Sequence, residues 1–96
     1  MAYLGSLTGP GRLIVDGKAI GKVDYVIRVY QHRYLKEGRG TLKLDKSAYS
    51  WLFQKSEPAT LELQNGDQVA ILLGDLDRIR RHGEVDFVTL GEIPGY

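Results

Sequence analysis

Residues 12–32 read RLIVDGKAIGKVDYVIRVYQH, and two features of this stretch decide the fold class. Asp16-Gly17 is a two-residue hairpin signal, because a tight turn whose twist matches its strands needs positive φ at both central positions. Beyond it, Val23, Tyr25, Ile27 and Val29 alternate with Lys22, Asp24, Arg28, Tyr30 and His32, and Val26 is the apolar exception on the second face. Successive strand side chains point to opposite sides, so this is a half-buried antiparallel strand. A two-residue turn sets Val15 opposite Lys18 and Leu13 opposite Ile20. Ile20 is even-numbered whereas the following core face is odd-numbered, which predicts a bulge or bend at Gly21-Lys22.

The same reading extends outward. The first strand is expected over Arg12 to Val15, the polar stretch 33–40 with Glu37-Gly38-Arg39-Gly40 as a turn, and Thr41 to Leu44 as a short third strand. Asp45 caps an expected helix in which Ala48, Trp51 and Leu52 share one face, closed by Ser56, Glu57 and Pro58. Ala59 to Gln64 and Gln68 to Leu73 form a second hairpin. A strict Asn65-Gly66 turn would mismatch its two faces. A three-residue loop, Gln64-Asn65-Gly66 with Gly66 left-handed, instead sets Leu61 opposite Val69, and this bulged form is expected. Residues 74–83 fit either a helical turn through Asp75, Leu76 and Ile79 or a charged loop. Glu84 to Leu90 is the last strand, with Val85 and Phe87 inward. Residues 1–10 and 91–96 are expected to be flexible tails.

About six strands and a short helix in 96 residues predict one all-β domain, a small antiparallel barrel or roll of the OB, SH3-like or split-barrel type. Hydrophobic residues at 43% and charged residues at 26% are ordinary globular values. The chain has no cysteine, which excludes disulfides, cysteine zinc knuckles and thiol nucleophiles and favours a reducing, cytoplasmic location. A net charge of +1 speaks against coating nucleic acid or an anionic membrane, although a local patch remains open to either. No segment reads as a secretory signal or a membrane helix, and no membrane partner is expected.

Three constellations stand out. Arg28, Tyr30 and His32 project from one strand face, the kind of stripe that stacks bases and holds phosphates. Arg78, Arg80, Arg81 and His82 place four cationic or titratable groups in five residues, with Asp75, Asp77 and Glu84 near enough to neutralise them. Arg33, Lys36 and Arg39 make a similar basic turn, and the two turns would combine if they shared one end of the barrel. Tyr49, Trp51 and Phe53 form an aromatic cluster on the expected helix, whose two apolar faces cannot both be buried in so small a protein.

The carboxylate pairs Asp75/Asp77 and Glu84/Asp86 look solvent-exposed, and His32 and His82 lie fifty positions apart. No phosphate-binding loop or nucleophile motif occurs. The sequence therefore predicts a non-enzymatic module acting through self-association, as a dimer, or through a protein partner, with Tyr49, Trp51, Phe53 and open sheet edges in contact. The alternative is an OB-like barrel that binds single-stranded nucleic acid through Arg28, Tyr30, His32 and the basic stretch 78–82. No catalytic residue, metal or cofactor is expected.

Overall fold

Antiparallel pairing runs around a complete ring in a computed structural model that describes residues 2–44, 59–75 and 77–96. The strands are β1 (Ala2–Val15), β2 (Lys18–His32), β3 (Leu35–Leu44), β4 (Ala59–Glu62), β5 (Gln68–Leu73) and β6 (Glu84–Leu90), with one helix, α1 (Asp77–His82), between β5 and β6. Their order around the closed barrel is β1-β2-β3-β6-β5-β4. Three strands are laid down as a meander. The chain then re-enters beside β1 at β4, and β1–β4 pairing at Arg12–Ile14 closes the ring. The expected small all-β barrel is therefore the fold. The helix expected after Asp45, with Tyr49, Trp51 and Phe53, lies outside the described residues.

The period-two reading of β2 holds along its length. Val23, Tyr25, Ile27 and Val29 are buried, and they meet Leu13, Leu42, Leu61, Val69, Ile71, Val85 and Phe87 in one core. Each such aliphatic side chain contributes roughly 1.5–3 kcal/mol of transfer free energy. Tyr25 keeps its polar end satisfied, because its hydroxyl accepts a 3.2 Å hydrogen bond from the Gln64 amide. Asp16 and Gly17 take φ of 52° and 78°, as a primed turn demands, and Val15 pairs with Lys18. The expected irregularity is present but sits earlier. Ile14 pairs with Ala19 and Leu13 with Gly21, so Ile20 is the extra residue. The β4–β5 loop is the bulged form: Leu61 pairs with Val69, the Leu63 amide donates to the Asp67 carbonyl at 2.7 Å, and Gly66 has φ 92°.

Three boundaries differ from the sequence reading, and one open alternative is decided. Residues 2–10, expected as a tail, are strand, and β1 pairs with β2 as far as Ala2↔Gln31. Residues 35–40, expected within a turn, are strand as well, and the turn is only Arg33-Tyr34. Glycines obscured both. At Gly40 an added Cβ would collide with the Val26 carbonyl and press on the Phe87 ring, so this glycine permits close strand approach rather than a turn. In the stretch left open between helix and loop, Asp77–His82 is helix, with Ile79 fully buried. The segment 91–96 packs inward: Ile93 is buried in the core, and the Tyr96 hydroxyl fills the space over Gly5.

Antiparallel alternation assigns the connections to two ends. The Asp16-Gly17 turn and α1 share one end. Arg33-Tyr34, the loop at 64–66 and the Ile93–Tyr96 segment share the other. At this second end the β1–β2–β3 sheet runs past the last β3–β6 rung, Arg39↔Val88, to His32↔Leu35. Four further residues at strand rise project the tongue by about 13 Å. The molecule is accordingly elongated, 37 × 24 × 22 Å.

Candidate functional site

Arg28 and Tyr30 stand on the outer face of β2, and strand order decides what joins them. Arg28 pairs across β3 with Arg39, Arg39 across β6 with Val88, and Val88 across β5 with Leu72. This rung crosses four strands and forms the floor of an open groove of about 490 Å³, which Tyr30, Thr41 and Asp86 also line. Its composition changes along the rung, from two guanidinium groups to two aliphatic side chains. Leu72 is 49% exposed, and Leu90 and Val26 on the same face are exposed as well. Arg28 has no ion-pair partner among the described residues, whereas the Arg39 guanidinium lies 3.1 Å from the Glu37 carboxylate.

Tyr30 is not alone. The Tyr3 ring sits 5.6 Å from it, tilted by 58°, as a cross-strand pair. Tyr3 reaches this face only because a register shift between Tyr3 and Gly5 makes Leu4 an extra residue. His32 falls outside the groove. It lines a separate hollow at the tongue with Tyr34, Leu35, Ile93 and Tyr96.

The second constellation is largely engaged with its own neighbours. Arg78 reaches Asp86 at 2.6 Å and Glu84 at 3.4 Å, and Arg80 lies 3.7 Å from Asp77. Arg81 and His82 are exposed, and His82 borders a broad cleft with Lys22, Lys43, Asp24 and Glu84. Arg78–His82 and the Arg33 turn lie at opposite ends of the barrel, so they do not add into one basic patch. The carboxylates of both pairs have structural partners. Asp75 Oδ1 accepts a 3.0 Å hydrogen bond from the Asp77 amide at the start of α1, while Glu84 and Asp86 both hold Arg78. Thr41 Oγ1 also donates to Asp86, at 3.1 Å.

Among the described residues no three His, Cys, Asp or Glu side chains gather as metal ligands, and no helix is long and apolar enough to cross a membrane. Sequence reading missed Arg39, Leu72 and Val88 as groove residues and Tyr3 as the ring beside Tyr30. Their outward positions follow from strand alternation, but their adjacency follows from pairing between distant segments, which no local spacing encodes. Comparison with family models, with curated proteins and with solved structures finds no match to this chain.

Proposed function

We propose that the chain is a non-enzymatic binding module, acting in a reducing compartment such as the cytoplasm through self-association or a protein partner. Its contact surface is the outer face of β2, β3, β6 and β5. The observation that carries this reading is the groove itself, in which Arg28, Tyr30 and Arg39 adjoin exposed Leu72 and half-buried Val88. Tyrosine and arginine beside a desolvatable aliphatic patch is the composition of interface hot spots. Ordinary globular surfaces scatter such side chains singly.

Light scattering after size-exclusion chromatography over a concentration series tests the self-association form. A mass that rises with concentration, and falls back to the monomer on Leu72→Glu, supports this face. A rising mass indifferent to Leu72→Glu removes the face as the contact, and a strict monomer removes self-association.

Single-stranded nucleic acid is the second reading, favoured by the Tyr3–Tyr30 pair beside Arg28 and Arg39. Phosphate contacts release counterions, so oligonucleotide affinity would fall steeply with salt and would weaken on Tyr30→Ala. Arg78 and Arg80, held by Asp86, Glu84 and Asp77, speak for the protein-binding reading instead.

A further inference from the structure

The described residues hold three hairpin turns, and one breaks the pattern of the others. Two use Asp16-Gly17 and Gln64-Asn65-Gly66, polar residues with glycine at a left-handed position. The third, Arg33-Tyr34, puts an arginine at φ 58°. That conformation crowds any Cβ, and glycine, asparagine or aspartate would accept it at lower cost. The same tip leaves Tyr34 99% exposed and Leu35 72% exposed. Tyr3 and Leu4, at the other edge of the tongue, are exposed as well. Neither the backbone strain nor the bare apolar side chains of this turn help the fold, and both suit a contact surface.

Charge indicates the kind of surface contacted. Arg33 and Lys36 flank the two apolar residues, and Glu37 beside them is already engaged by Arg39 at 3.1 Å. Glu92 lines the same hollow. The tip stands about 13 Å beyond the last β3–β6 rung, estimated from strand rise, and one side of it borders the hollow. A projecting apex of exposed Tyr and Leu flanked by Arg33 and Lys36 suits a planar, negatively charged interface. Tyrosine rings settle at headgroup level, the leucine enters the acyl boundary, and each cation gains from anionic headgroups.

We infer that the β2–β3 tip, Arg33-Tyr34-Leu35-Lys36, is a peripheral anchor for anionic lipid surfaces, separate from the sheet-face groove. The chain's net charge of +1 does not oppose this, since the attraction acts over a Debye length at the tip.

Vesicle co-sedimentation of the whole chain tests it, with phosphatidylcholine vesicles either pure or containing about 30 mol% phosphatidylserine, a composition with a strongly negative surface. The expected result is binding at least about tenfold tighter to the anionic vesicles, weakened by salt and reduced about tenfold by Tyr34→Ser with Leu35→Ser. Thermal melts of that variant show whether the barrel is intact. Arg33→Glu with Lys36→Glu provides a second variant that leaves the apolar side chains in place, and it should remove the preference for anionic vesicles. Because the chain has no cysteine, an environment-sensitive dye at Leu35→Cys reports burial in the anionic vesicles. The same dye at Lys18→Cys, at the opposite end, should not respond. Failure to bind anionic vesicles overturns the inference, as does binding that survives both tip variants. Tip variants that abolish self-association in light scattering while leaving vesicle binding unchanged would assign the tip to a protein contact and overturn it too.

Discussion

The two ends of β2 carry turns of the same length and opposite character. At one end Asp16-Gly17 joins β1 to β2 with residues suited to positive φ, and it exposes no large apolar side chain. At the other, Arg33-Tyr34 joins β2 to β3 with a left-handed arginine and leaves Tyr34 and Leu35 in solvent. Charges divide in the same way. Near the first turn, the α1 cations Arg78 and Arg80 are held by Asp86, Glu84 and Asp77. Near the second, Arg39 engages Glu37, while Arg33 and Lys36 stand exposed at the apex. Where folding alone sets the sequence, turn chemistry is locally satisfied. Departure from it at one tip, together with exposed apolar side chains, marks that tip for another role.

This contrast breaks if the second end is simply poorly packed. Ile93 is buried there and Ile79 is fully buried at the α1 end, each supplied by a segment outside the strands. Truncation of either to Ala should cost about 3 kcal/mol, the range for a buried isoleucine that leaves a cavity. Denaturant unfolding measures both. A near-neutral Ile93→Ala would show a loose end beneath the tongue and would weaken the case for a functional tip.

Substitution at the turns sharpens the contrast. Gly17→Val forces a β-branched residue to φ near 78° and should cost about 2 kcal/mol. Only Arg33 of this turn has positive φ, so replacing Arg33-Tyr34 by Gly-Asn should do the reverse and stabilise the fold by about 1 kcal/mol, raising Tm by several degrees while removing the exposed tyrosine. No gain in Tm would mean that the left-handed arginine is not strained, and the argument from turn chemistry would fail.

The smallest effect is expected at the α1 ion pairs. The Arg78 side chain is 39% exposed, so Arg78→Ala should cost under about 1 kcal/mol, and the difference should shrink in high salt. A larger loss that persists in salt would show that Arg78 contributes through packing of its stem against the barrel.

Much of the barrel was legible because the decisive signals are local. A period of two along Val23–Val29 names the buried face, Asp16-Gly17 names a turn, and face matching between Leu61 and Val69 selects a bulged loop over a strict one. The glycine-rich stretches were misread for one reason. Glycine at 5, 9 and 11 in β1 and at 38 and 40 in β3 carries no side chain to show a period, and glycine ordinarily signals a break. These glycines lie beneath other groups, among them Tyr96, Tyr25, Phe87 and Thr89. A residue whose purpose is to make room for a distant ring leaves no mark in its own neighbourhood. The candidate site was half visible on the same grounds. Arg28 and Tyr30 lie two apart on one strand and were found together, whereas Arg39, Val88, Leu72 and Tyr3 come to them from four other strands and, in one case, past a bulge.

The sequence by itself determined the class of fold, the inward face of β2, two of the three hairpin turns among the described residues and the absence of any cysteine chemistry, because alternation, turn chemistry and composition act over a few residues. Tertiary structure alone decided that the ring closes through β1 and β4, that the two basic stretches face opposite ends, and that Ile93 and Tyr96 pack back onto the core. It also decided that Tyr34 and Leu35 stand bare at the apex of a projecting tongue. Closure, adjacency and exposure depend on which distant segments meet, and that is set by the burial of the whole core rather than by the preference of any one stretch.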